Sequence, residues 1–105
     1  MDNKGINYEF SSSVYYYSSS PQMTGWTMVS LPKNLSSAIR EAFKSLEEGW
    51  GRMKVTAKIG QTEWQTAIWF DTKQDTYLLP LKAVVRKKEK ITEESMVTVN
   101  IWIQY

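Results

Sequence analysis

The sequence predicts a mostly β single domain with two short helices, closed as a barrel or a sandwich, and three observations lead there. Apolar and polar residues alternate along several stretches, most plainly through Met53, Val55, Ala57 and Ile59 and through Val97, Val99, Ile101 and Ile103. Five Trp and six Tyr among 105 residues suit pleated elements and large-residue cores. An apolar strand also runs twice into a Leu-Pro step followed by helical spacing, at Leu31-Pro32 and at Leu79-Pro80.

The elements follow in chain order. Ile6, Tyr8, Phe10, Ser12, Val14 and Tyr16 share one parity and give a long first strand, bent or bulged near the Tyr15-Tyr16-Tyr17 run. Ser18-Ser19-Ser20-Pro21-Gln22 is loop chemistry and Gly25 turns the chain into Trp26, so the first two strands read as a hairpin with a long tip. After Pro32, the residues Leu35, Ile39, Ala42, Phe43 and Leu46 recur at helical spacing, with Asn34 or Ser36 expected as N-cap and Gly49 at C′. Arg40, Lys44, Glu41, Glu47 and Glu48 form its solvated side. Trp50-Gly51 leads into the strand from Arg52 to Ile59, and Gly60-Gln61 turns that strand tightly into Thr62 to Phe70. There Trp64, Thr66, Ile68 and Phe70 share one face, with Ala67 and Trp69 on the other.

Asp71 to Thr76 closes the next hairpin, and the strand from Tyr77 reaches Pro80. The Pro80 ring fixes φ near the helical value and removes an N–H, so it marks a strand-to-helix boundary. Beyond it Leu81, Val84, Val85 and Lys88 follow one helix face, while Arg86, Lys87 and Lys88 complement the C-terminal end of the dipole. Thr92 to Ser95 turns the chain into the final strand, in which Tyr105 is expected to be paired. The order strand, Leu-Pro, helix, strand thus occurs twice, which reads as a diverged duplication equating Leu31-Pro32 with Leu79-Pro80.

Composition mainly excludes. A chain of 105 residues buries roughly 65% of its unfolded surface and folds on one core without staples. It contains no Cys and no His, which removes disulfides, thiolate chemistry, Cys/His zinc sites and the Ser-His-Asp and Cys-His arrangements. No cofactor is expected. A net charge of +2 permits a polyanionic partner without demanding one. No signal-peptide pattern or membrane-length apolar run is present, so a soluble cytoplasmic protein is expected.

One set of residues carries a resemblance. Trp26, Val29-x-Leu31-Pro32, Val55-x-Ala57-x-Ile59-Gly60-x-Thr62-x-Trp64, Tyr77-Leu78-Leu79-Pro80-Leu81-Lys82-x-x-Val85-Arg86-Lys87 and Ile91 followed by Met96-Val97-x-Val99 together look like the bacterial domain-of-unknown-function family nineteen-oh-five. The resemblance covers nearly the whole chain. It implies a double-split β-barrel of about six to seven strands with two short helices and a pseudo-two-fold internal repeat, distantly akin in shape to the swapped-hairpin AbrB and MazE transcription factors. The family shows Gly-Asp before its last strand, where this chain has Glu94-Ser95. No catalytic residue is implied.

Three groups of residues are candidate sites. Lys82, Arg86 and Lys90 fall at i, i+4 and i+8 with Lys87 and Lys88 beside them, a basic stripe able to meet phosphates, with Lys33 and Arg40 as partners across the pseudo-dyad. Glu89, Glu93 and Glu94 lie close enough in sequence to solvate the same run as an ordinary charged face. Trp69 and Trp102 stand opposite the aliphatic faces of their strands; they are read as covered by a helix or by the N-terminal strand, the alternative being a stacking surface. Trp64, Trp69, Tyr77 and the Ser-rich loop would form a third site, a small-molecule or enzymatic cleft. Glu63, Asp71 and Asp75 are acids near aromatics, but no nucleophile or ligand pattern joins them. The expectation is a monomeric or weakly dimeric, non-enzymatic binding module with a nucleic-acid or protein partner and no membrane association. The alternative is a nucleic-acid-binding regulator acting through the basic helix.

Overall fold

The computed structural model describes residues 5–18, 25–47 and 51–104. Its elements are β1 (Ile6–Ser13), β2 (Tyr15–Tyr17), β3 (Trp26–Ser30), α1 (Lys33–Phe43), β4 (Arg52–Ile59), β5 (Thr62–Asp71), β6 (Thr76–Pro80), α2 (Ala83–Lys88) and β7 (Met96–Ile103). The seven strands form one curled antiparallel sheet in the order β1-β7-β4-β5-β6-β3-β2. The Ser-Pro loop tip beyond Ser18, the proposed C′ residue Gly49, Trp50 and Tyr105 lie outside the described residues.

The long first strand is broken at Val14. Only Tyr15–Tyr17 pairs with β3 in the expected hairpin, while Ile6–Ser13 pairs with β7 from Ile6↔Ile103 to Ser13↔Met96. The sheet therefore has as its two edges segments that are consecutive in the chain. Val14 is buried, donates its N–H to Ser95 O at 2.9 Å and accepts from Glu94 N–H at 2.8 Å. That clasp holds the break against the turn entering β7. Within that turn Ser95 N–H donates to Thr92 O at 3.1 Å, and Glu94, at φ 71, occupies the position where the resemblance implied glycine. The turn keeps the geometry that suits glycine, with a residue that enters it at a cost.

The alternating strands behave as their period requires. Met53, Val55, Ala57 and Ile59 of β4 and Val97, Val99, Ile101 and Ile103 of β7 all enter the core, with Ala57 opposite Ile101. Gly60 makes the tight turn between β4 and β5 at φ 58, and Glu89 closes over it by accepting from the Thr62 hydroxyl at 2.6 Å. Burial at the centre is extensive: Ile39, Tyr77, Leu79, Val85, Val99 and Ile101 are fully enclosed. At roughly 1.5–3 kcal/mol per buried aliphatic side chain, this core is the main force that holds the sheet curled.

Both helices start without a side-chain cap. Pro32 itself occupies the N-cap of α1, in place of the expected Asn34 or Ser36. The Asn34 side chain only accepts from Leu35 N–H at 2.9 Å, and Ser36 is buried with its hydroxyl oxygen accepting the Tyr77 N–H at 3.0 Å. Ile39 and Phe43 pack inward, whereas Ala42 faces solvent and Leu46 sits exposed in the 3-10 turn Lys44–Leu46. Of the face expected beyond Pro80, Leu81, which precedes α2, and Val85 within it are buried, but Val84 is 56% exposed.

The two helix entries match in a register two residues away from the expected pairing of Leu31-Pro32 with Leu79-Pro80. Leu31 N–H donates to Tyr77 O at 2.9 Å, and Leu81 N–H donates to Thr27 O at 2.8 Å, a reciprocal pair about the centre of the β3–β6 ladder, where Val29 meets Leu79. Leu31 and Leu81 thus hold matching places at the two ends of that ladder. Pro32 (φ -56, ψ 149) corresponds to Lys82 (φ -65, ψ 150), each the residue before its helix. Pro80 still lies in the ladder, opposite Met28, and α2 begins at Ala83 rather than at the proline.

Candidate functional site

Strand parity places Trp26, Met28 and Ser30 of β3 on the outer face of the sheet, with Leu78 and Pro80 of β6 and Ala67 and Trp69 of β5. Met28, Ala67 and Leu78 are nevertheless buried and stand apart from the central core. A second, shallower apolar layer thus lies outside the barrel wall. Over it sit Trp26, 54% exposed, and Trp69, 42% exposed, with ring centroids 6.3 Å apart and planes tilted by 57°. Coverage of Trp69 by a helix or by the N-terminal strand is thereby overturned: the tryptophan is itself the cover. Trp102 is half-buried, beside Lys54, Thr56 and Gln65.

The tryptophans wall a groove of about 390 Å³ whose charged lining residues are Arg52, Lys54 and Lys82, with no Asp or Glu among its described lining. Lys54 and Arg52 arrive from the outward positions of β4, and Arg52 faces Trp69 directly across the ladder. Lys82 Nζ donates to Gln65 O at 3.3 Å, which holds its side chain over the groove. A second groove of about 450 Å³ abuts the first, sharing Trp26, Leu81 and Lys82 and adding Tyr16, Arg86 and Glu93. Arg86 Nε donates to Leu81 O at 3.2 Å and so is fixed at the mouth of this second groove.

The residues expected to form sites from sequence are only partly brought together. Lys82 and Arg86 reach the grooves, whereas Lys87 lines neither. Lys90 lies beyond the end of α2 at φ 56, so Lys82, Arg86 and Lys90 do not share one helix face. Lys33 is exposed, and Arg40 stacks its guanidinium 3.8 Å over the Phe70 ring beside Asp75, in a different hollow. Asp71 is committed to its turn, accepting from Lys73 N–H at 3.1 Å.

The cleft expected between Trp64, Trp69 and Tyr77 does not form, because Trp64 has the opposite parity to Trp69 and packs against the core. Its Nε1 is buried with no hydrogen-bond partner among the described residues. Tyr77 is fully buried, edge-on to Phe70 at 5.1 Å between centroids, and donates its hydroxyl hydrogen to the Glu47 carboxylate. Burial pushes that phenol above its usual range, the Glu47 carboxylate pushes it further, and Arg40 partly offsets the shift. Tyr77 is a protonated structural group.

Trp26, Arg52 and Lys54 were not among the site residues expected from sequence, although Trp26 belongs to the motif that carries the resemblance. The available signal was in β3, where Met28 and Val29 make both faces apolar, as a strand covered on both sides requires. Among the described residues no helix is long and apolar enough to cross a membrane. No curated protein matches the chain. A family model described as a domain of unknown function matches residues 10–101. Since that match covers most of the chain, including both helices and the lining of both grooves, the chain belongs to the DUF1905 family.

Proposed function

We propose that this protein is a non-catalytic binding module whose ligand seats in the Trp26–Trp69 groove and combines an apolar or ring surface with negative charge. One observation carries the reading: two exposed tryptophans in ring contact share a wall with Arg52, Lys54 and Lys82. Exposed aromatic clusters on a surface mark contact sites, and cations alone around them select an anion. The absence of Cys and His from the sequence supports a binding rather than a catalytic role. Tyr77, sealed in the core and held protonated, is remote from such work.

We read the architecture as a double-split β-barrel with an internal two-fold. The reciprocal hydrogen bonds of Leu31 and Leu81 support it, as does the adjacency in sequence of the sheet's two edges. One chain then supplies what two supply in swapped-hairpin relatives of this shape, and a monomer or weak dimer is the expected state. The regulator reading survives in altered form, with Lys82 and Arg86 contributing at the grooves rather than as a helix stripe.

The test follows tryptophan emission during titration with inorganic triphosphate, adenosine triphosphate and a single-stranded hexanucleotide at ~50 mM salt. Ring-bearing anions are expected to change the emission, and Lys82→Glu to weaken the effect. The reading is overturned if no ring-bearing anion acts, or if Lys82→Glu binds as the native chain does.

A further inference from the structure

We infer that the occupant of the groove is a single-stranded nucleic acid, lying along both grooves; the inference rests on the binding-module reading above. The first argument is continuity. Grooves of about 390 and 450 Å³ meet at Trp26, Leu81 and Lys82, so they make one trough with Trp26 and Lys82 at its middle. Each half alone falls within the ~300–1,000 Å³ that holds a single small ligand. The two together stay within that range, so it is the succession of separate rings and cations along the trough, not its volume, that favours a repeating ligand.

Rings and cations succeed one another along it. Trp69 walls one end, Trp26 the junction and Tyr16 the far end. Tyr16 is 52% exposed and its hydroxyl oxygen accepts from Gly25 N–H at 2.7 Å, which fixes the ring. The 57° tilt between Trp26 and Trp69 gives each ring its own face rather than one slot for a single base. Arg52 and Lys54 lie at the Trp69 end, Lys82 at the junction and Arg86 in the second half, against a single carboxylate, Glu93, among the described lining. The bonds of Lys82 to Gln65 O and of Arg86 Nε to Leu81 O occupy one donor each, of three and five. The remaining donors suit phosphate oxygens.

A duplex hides the faces of its bases in the stack, whereas a single strand presents them to aromatic side chains. Tryptophan platforms therefore select the single strand. At a slope of about −0.7 per phosphate, one contact from each of Arg52, Lys54, Lys82 and Arg86 predicts a roughly 50-fold loss of affinity between ~50 and ~200 mM salt.

The experiment measures anisotropy of a labelled single-stranded hexanucleotide on the full chain, with competition by its mononucleotides, by a duplex of the same sequence, by a polysulfate and by an acidic peptide. The hexanucleotide is expected to bind at least about tenfold tighter than its mononucleotide or its duplex, consistent with one further stacked base. Trp26→Ala is expected to lose most of that preference and Trp26→Phe to keep it, with unchanged thermal melting showing that both remain folded. Equal binding of mononucleotide or duplex, or equal competition by polysulfate or acidic peptide, would overturn the inference and leave the binding-module reading standing. If no anion binds at low salt, both fall together.

Discussion

Replacing Glu94 by glycine is expected to stabilise the protein. Glu94 sits at φ 71 in the turn closed by Ser95 N–H to Thr92 O, a position where type II turns take glycine or asparagine. Holding an L-residue there costs about 1–2 kcal/mol, because its Cβ crowds the following carbonyl. Glycine removes that cost but adds about 0.5–1 kcal/mol of unfolded-state entropy. The Glu94 side chain is exposed, and the bond from its N–H to Val14 O belongs to the backbone and survives the change. The net gain is about 0.5–1 kcal/mol, a rise in Tm of roughly 2–8 °C for a domain of this size. Thermal melts of Glu94→Gly and Glu94→Ala read it directly, since alanine keeps the backbone cost and should melt close to the native protein. A Glu94→Gly variant melting at or below the alanine variant would refute the reasoning.

Ser36→Ala leaves the Tyr77 N–H without its acceptor in a fully buried place, so urea denaturation should show a loss of about 1–3 kcal/mol. The raised Tyr77 pKa makes a prediction about pH. Folding holds the proton more tightly, so its contribution is whole below the unfolded phenol value of about 10 and drains away as pH rises through the folded one. Stability should therefore fall above about pH 10, by up to ~1.4 kcal/mol per pH unit from this one group. The slope should flatten in Tyr77→Phe; an alkaline slope unchanged in that variant would assign the loss to other groups.

Local pattern made much of this molecule legible. The alternation in β4 and β7, the Gly60 turn and the break near the tyrosine run are each written within a few residues. Strand partners are not, since Ile6 meets Ile103 through a pairing that no window of sequence contains. The Leu-Pro words do not mark matching places, because Leu31 leaves the ladder where its proline follows, whereas Pro80 still pairs with Met28 and the strand leaves at Leu81. Parity placed Trp69 on the outer face but could not say what lay over it. Arg52 and Lys54 reach it through the local β4–β5 hairpin, but Trp26 joins only through the β6–β3 pairing, which no local window of sequence contains.

The place of β7 has a consequence for how the chain comes to be folded. It is the last strand in chain order, yet it lies in the interior of the sheet between β1 and β4. During synthesis β4 and β5 can zip as a hairpin at once, while the other flank of β4 waits for the strand beyond β6 and α2 and all of β1 waits for residues more than half the chain away. Closure across such long separations is slow, on the order of milliseconds to seconds. Until then the flank of β4 that carries Thr56 to Ile59 is a bare template for the wrong neighbour. Lesions in β7 are therefore expected to appear as poor yield and aggregation of new chains rather than as fraying of finished ones.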